Sequence, residues 1–255
     1  MIYDAGNYTR GGSLAFTKVQ EIIPAGSDIE LLVLSHSDAD HLGAVDEICD
    51  DYNVLRVLRP GYQRTSATWR NAIGAVLLEE ETEGCIDISL AEDEFPMGAT
   101  YRFGDVFVMM VAGFHTPPAA WGNLSTGEER NAGSIVIRLI YGTRSVLFCG
   151  DAVGRHTGDP ANVCIASEMF MVNNSDVIPI DSDVLVAPHH GADNASSTAF
   201  IQAVSPDYVI FSAGHRYEHP RAVTAQRYLN NGVLLANMFR TDRGSARPVV
   251  SIWQC

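Results

Sequence analysis

The segment that most constrains this chain is the apolar run Leu31-Leu32-Val33-Leu34, followed at once by Ser35-His36-Ser37-Asp38-Ala39-Asp40-His41. Such a run bounded by polar residues suits a short strand buried on both faces, which puts His36 to His41 on the loop leaving its end. His36, Asp38, Asp40 and His41 place four metal-ligand side chains within six residues. Imidazole nitrogen suits zinc, iron and manganese, whereas carboxylate oxygen favours harder ions, so a mixed set on one tight loop is able to surround two divalent cations. The competing reading is a helix start at Leu42-Gly43-Ala44-Val45 that His and Asp merely cap and solvate, with Asp40 favoured by the dipole. A cap requires one such residue and not four, so the loop reads as half of a two-metal site.

Composition narrows the class further. A chain of 255 residues with 46% hydrophobic content can bury one large core, and residues 1–255 are expected to form a single domain. No run approaches the roughly 18 apolar residues of a membrane helix, and Met1-Ile2-Tyr3-Asp4 does not begin a signal sequence, so the expectation is a cytoplasmic protein without a membrane partner. The five cysteines, Cys49, Cys85, Cys149, Cys164 and Cys255, are odd in number and lack Cys-x-x-Cys spacing, which indicates neither a disulfide framework nor a thiolate metal site. Cys49, Cys149 and Cys164 lie in apolar contexts and are expected to be buried thiols. A net charge of -14 argues against an extended basic surface for duplex DNA. The acidic stretches Glu79 to Glu83 and Glu92 to Glu94 read as solvated faces, and a small or single-stranded substrate suits this charge better than a duplex.

Beyond the first loop the pattern alternates strands and helices, the class expected being α/β with two packed sheets flanked by helices. Val54 to Leu58 reads as a strand, and Trp69, Ala72, Ile73, Val76 and Leu77 form a core stripe at helical spacing. Strands are expected around Tyr101 to Ala112, Ser134 to Ile140 and Ser145 to Phe148, the last two joined by a turn at Tyr141-Gly142-Thr143-Arg144. The second half predicts strands at Val184 to Ala187 and Tyr208 to Ser212, helices near Ser197 to Val204 and Ala222 to Leu229, and closing strands at Val233 to Met238 and Pro248 to Trp253.

His-x-Asp-x-Asp-His-x-Gly, then Cys149-Gly150-Asp151 and Pro188-His189-His190-Gly191, resemble the metallo-β-lactamase superfamily. More narrowly, they resemble its branch related to the carboxy-terminal domain of the ComEC/Rec2 competence proteins. Tyr3-Asp4-Ala5-Gly6 matches an early hydrophobic-Asp-x-Gly element, and Ser212-Ala213-Gly214-His215-Arg216-Tyr217-Glu218-His219-Pro220 is similar to a signature near the branch's end. The resemblance implies an αββα sandwich of two mixed sheets flanked by helices. Asp38 stands where the wider superfamily usually has a histidine, and Asn131 of Asn131-Ala132-Gly133-Ser134 replaces the third histidine. Both are features of this branch, and they enrich the first metal site in oxygen, which weakens zinc preference and admits manganese. His115-Thr116-Pro117-Pro118 is similar to the His-Thr-Pro-Gly turn that carries that third histidine, but a polar segment from Ala119 to Arg130 separates it from the next strand. Relatives carry a β-hairpin ahead of the Asp-x-Gly element. Here only three residues precede Asp4, so the expectation is either a true start upstream or a lost edge hairpin whose exposed strand is covered in another way, such as by a protein partner.

The implied centre holds two divalent ions, Zn or Mn, with Asp151 as the bridging carboxylate, His36 and Asp38 at one ion, and Asp40, His41 and His189 at the other. Asp40, His190 and His219 are the implied catalytic residues, His219 as proton donor or phosphate ligand, while Asp4, Asn131 and Ser134 support the ligands or meet substrate. His156 reads as a surface residue. Two-metal activation of hydroxide yields hydrolysis without a protein nucleophile. The implied activity is a phosphodiesterase or nuclease acting on a small-molecule or single-stranded nucleic-acid phosphodiester. Carboxylic ester, lactone or thioester hydrolysis is the enzymatic alternative, and a metal-stabilised regulatory or assembly subunit without catalysis is the alternative of another class. The loops at Gly61 to Ser66 and Thr116 to Asn131 are expected to form the substrate pocket, with Arg64, Trp121 and Arg130 meeting an anion or a base.

Overall fold

The apolar run becomes a buried strand in the computed structural model, which describes residues 1–9, 12–93, 96–214 and 217–242. The chain divides into two compact units, Met1–Phe95 with Phe114–Thr116, and Pro96–Gly113 with Pro117–Cys255. The first contains β1 (Ile2–Tyr3), β2 (Tyr8–Thr9), β3 (Gly12–Ser13), α1 (Leu14–Ile22), β4 (Asp28–Ile29), β5 (Leu32–Val33), α2 (Ala39–Leu42), α3 (Val45–Asp51), β6 (Asn53–Val54), β7 (Arg56–Arg59), α4 (Ala67–Glu83) and β8 (Ile86–Ser89). Its main sheet has the order β1-β5-β7-β8 and is parallel throughout. Leu32, Val33 and Leu34 are completely buried, because parallel strands between two neighbours are covered on both faces.

Three expectations change in this unit. Residues 39–42 already form a helical turn, so Asp40 and His41 lie on α2 and only Asp38 stays at its cap position. The stripe on α4 runs Trp69, Ala72, Val76 and Glu79, while Leu77 is 48% exposed. Glu79 therefore leaves the solvated acidic stretch: it is buried, and its Oε1 accepts the Val54 amide at 2.7 Å, serving a backbone donor where β6 breaks before β7. Burial pushes the Glu79 carboxyl up.

The second unit contains β9 (Thr100–Phe103), β10 (Val106–Ala112), α5 (Thr126–Ala132), β11 (Val136–Tyr141), β12 (Arg144–Phe148), α6 (Ala166–Asn173), β13 (Val184–Val186), α7 (Thr198–Val204), β14 (Tyr208–Phe211), α8 (Ala222–Asn230) and β15 (Met238–Arg240). Its sheet runs β15-β14-β13-β12-β11-β10-β9, antiparallel from β9 to β12 and parallel from β12 to β15. Because β12, β13 and β14 are parallel neighbours, Asp151, the Pro188–Gly191 turn and Ser212 all leave the same edge, the carboxyl ends where open α/β sheets hold ligands. The strand expected over 233–238 is a 3-10 turn at Leu235–Asn237 that delivers the chain to β15, and the strand expected over 248–253 lies outside the described residues.

A buried carboxylate braces the loops that follow β12 and β13. Glu168 is completely buried, and its oxygens accept the amides of Ser196 at 2.5 Å and Ser197 at 2.8 Å. Only glycine fits opposite: a Cβ on Gly154 would stand 1.9 Å from Glu168 Oε2. Ser167 adds a bridge, its hydroxyl accepting the Val153 amide at 2.8 Å and donating to the Val153 carbonyl at 3.1 Å. Replacing Glu168 with Ala strands two buried amides, and the expected loss is about 2–4 kcal/mol of stability. A urea titration should show the midpoint lowered at nearly unchanged slope.

Candidate metal centre

In the first unit the site is built from the end of β5. Asp4 sits at φ +60°, a conformation that costs a non-glycine residue energy and is retained only where surrounding contacts demand it. Those contacts are specific. Its Oδ1 accepts the Ser35 amide at 2.7 Å, and its Oδ2 accepts the Ser35 hydroxyl at 2.8 Å and stands 2.7 Å from His41 Nδ1. Against a carboxylate Nδ1 carries the proton, which makes Nε2 the lone-pair nitrogen of His41. Ser35 Oγ also lies 3.0 Å from His36 Nδ1, and the two imidazoles stand 4.1 Å apart between centroids. Both rings are buried. Asp38 is half-buried and takes the Arg64 guanidinium on Oδ1 at 2.5 Å.

The second unit repeats the device with different acceptors. His189 and His190 occupy the left-handed region at φ +49° and +57°, and Gly191 continues there at +82°, where a Cβ would strike Phe211 and Pro220 at 2.6 Å. This strained turn aims both imidazoles at Asp151: His189 Nε2 is 3.4 Å from Oδ2, and His190 Nε2 is 3.5 Å from Oδ1. His189 Nδ1 donates to Asn194 Oδ1 at 2.7 Å and His190 Nδ1 to the Ser212 carbonyl at 2.6 Å, so here too Nε2 is the lone-pair nitrogen. His189 and His190 thus both face the Asp151 carboxylate, one at each oxygen.

The residues expected to support the centre have the following neighbours. Ser134 accepts the Asp151 amide at 3.1 Å. Asn131, at the end of α5 and 7% exposed, brings Nδ2 to 3.5 Å from His189 Nε2. His219 lies 5.9 Å from His189 and 6.2 Å from His190 between ring centroids, and burial, followed by those two rings, pushes it down to about 4. It is therefore a neutral imidazole at pH 7 in the metal-free chain. His115 belongs to the first unit, packed on Gly61. Trp121 packs on Ala132, Val153 and Ala166, and Arg130 donates to Thr126 of its own helix. His156 is half-buried and pairs with Glu128 at 3.0 Å, and His215 lies outside the described residues.

Two contributors were missed. Ser35 was passed over as a strand-end polar residue, although it adjoins His36. Asn194 had no local signal: five residues past His189, it orients that ring and accepts the Gly154 and Arg155 amides on its carbonyl at 3.1 Å, tying the Asp151 and His189 loops together.

A parallel-strand edge bearing histidines with braced Nδ1 atoms around Asp151 defines a metalloprotein of the α/β class. The metallo-β-lactamase superfamily model matches residues 1–215, and the chain belongs to that superfamily. Its curated relatives come from the competence branch. They include Recombination protein 2 of Haemophilus influenzae, 25% identical over 215 residues and covering 84% of this chain but 21% of the relative. ComE operon protein 3 of Bacillus subtilis is 23% identical over 218 residues, covering 84% of this chain and 24% of the relative. The chain thus spans about a fifth to a quarter of these relatives. Among solved structures, CmlA, a diiron β-hydroxylase from Streptomyces venezuelae, matches with a TM-score of 0.49 and 18% identity over 84% of this chain and 44% of that one. Among the described residues no helix is long and apolar enough to cross a membrane.

Removing the acceptor behind a ligand histidine should weaken metal binding about 10–100-fold, so Asp4→Ala and Asn194→Ala are expected to do so in competition with a chromophoric chelator. His219 supplies a pH test. Its pKa of about 4 in the folded chain lies below the ordinary 6.5, so the unfolded state binds the proton first. Without added metal, the wild type should lose stability as pH falls from 6.5 to about 4, and His219→Gln should lose less in thermal melts.

Proposed function

We propose that this protein is a metal-dependent phosphodiesterase holding two divalent ions, zinc or manganese, with ligands drawn from His36, Asp38, Asp40, His41, Asp151 and His189. The observation that carries the reading is the shared state of His41 and His189: in each, Nδ1–H donates to a protein oxygen, which makes Nε2 the lone-pair nitrogen able to meet a cation. Such bracing is what ligand histidines need and what a surface histidine does not. Bound ions would lower the pKa of water and stabilise negative charge on the attacking and leaving oxygens.

The chain's own residues do the remaining work. Asp4, Asn194 and the Ser212 carbonyl hold the rings in one tautomer, and Ser134 fixes the backbone of Asp151. His219, neutral at pH 7, is available to accept a proton or hydrogen-bond the phosphate. Phosphodiesters are preferred as substrates because the curated relatives are named for recombination and competence, processes that act on nucleic acid. The charge of -14 favours a small or single-stranded phosphodiester over a duplex. Four free thiols among the described residues accord with the cytoplasm.

The test is hydrolysis of bis-p-nitrophenyl phosphate by manganese- or zinc-loaded protein, alongside Asp151→Ala. Turnover that falls to background in the variant is expected. A folded, metal-loaded wild type that cleaves p-nitrophenyl acetate or a lactone but no phosphodiester would shift the reading to carboxylic esters. One that cleaves nothing would leave the role of a regulatory or assembly subunit.

A further inference from the structure

The loop joining β7 to α4 presses a cation onto the ligand segment of its own unit. Arg64 Nη1 lies 2.5 Å from Asp38 Oδ1, with the two side chains 32% and 24% exposed. Contacts on both sides of Arg64 hold this loop. On one side His115 packs against Gly61, where a Cβ would stand 2.4 Å from its Nδ1. On the other, Ser66 caps α4 by accepting the Trp69 amide at 3.2 Å, and the Arg70 guanidinium donates to the Thr65 carbonyl.

The nearby Arg59 shows what a structural pair looks like here. It is buried, and its Nε and Nη2 are both taken by Asp87 at 2.7–2.9 Å. Arg64 instead gives Asp38 one nitrogen and keeps solvent access, while a guanidinium carries five donors in a fork that matches phosphate oxygens. Water reaches both partners of this half-buried pair, so it is screened more than the buried Arg59–Asp87 pair and is the one of the two open to exchange. An anionic substrate also needs a local cation, since Asp38 and Asp40 on this segment and a chain charge of -14 oppose its approach.

Resting on the metal reading above, we propose that Arg64 is an exchangeable clamp for a substrate phosphate. Asp38 parks the guanidinium beside the centre. Once Asp38 engages a divalent cation, its carboxylate holds Arg64 less strongly and the fork turns to the phosphate oxygens. Arg64 then determines specificity for anionic substrates without being a metal ligand.

Inorganic phosphate serves as the probe, titrated by calorimetry into manganese-loaded wild type, Arg64→Ala and Arg64→Lys, with manganese affinity measured separately for each. Phosphate affinity should fall about tenfold or more in Arg64→Ala, the worth of one charge-assisted hydrogen bond, with partial recovery in Arg64→Lys. Manganese affinity should stay within about threefold or rise, because a cation beside Asp38 has been removed. Unchanged phosphate binding in Arg64→Ala, loss only in proportion to lost manganese, or a loaded wild type that ignores phosphate would each overturn the clamp while leaving the metal reading intact. A wild type that takes up no manganese or zinc would remove both.

Discussion

The carboxylate of Asp4 is the interaction on which the first half of the site depends. It is one acceptor serving three donors: the Ser35 amide, the Ser35 hydroxyl and His41 Nδ1. Through them the residue after β1 is tied to the end of β5 and to the helical turn that carries Asp40 and His41. The left-handed backbone of Asp4 is the strain that this placement costs, and the three hydrogen bonds offset it. A side chain without an acceptor oxygen at this reach could keep the strand pairing, but it would not hold the imidazole in one tautomer.

The second unit reaches the same chemical end by harder packing. Two consecutive histidines in the left-handed region are tolerated because Gly191 admits Phe211 and Pro220, and because the segments on either side are pinned by Asn194 and Glu168. Strain at this turn is spent on direction: both Nε2 atoms come to one carboxylate. The buried Glu168 contributes rigidity to the ligand loops without facing a ligand atom. Each unit thus prepares its own donors, the first with a carboxylate and the second with amide and carbonyl oxygens.

Charge sets the character of the chemistry. The segment from His36 to His41 carries two carboxylates and two imidazoles, a donor set that favours divalent cations and by itself repels anions. Arg64 is the local exception, held by Asp38 and still in contact with solvent. Arg59, buried against Asp87, shows that the same residue type out of reach of solvent becomes a structural element instead.

Much of the candidate site was legible because its histidines and aspartates stand in short-range motifs at strand ends: a buried apolar run followed by His36 to His41, and a Pro188-His189-His190-Gly191 turn, can each be read from neighbours in the chain. The strands β11 and β12 were equally legible, since a two-residue turn at Gly142 and Thr143 joins them. Helix α1 was not, for its apolar residues include Leu14 and Ile22, both heavily exposed, and no clear buried stripe results. Glu79 and Glu168 looked like ordinary surface acids, and only the position of a distant amide made them internal acceptors. By itself the sequence determined which residue types stand at the strand ends, and so the class of chemistry. Tertiary structure alone decided which nitrogen of each histidine is presented, because that depends on acceptors as far apart in sequence as Asp4 from His41 and Ser212 from His190.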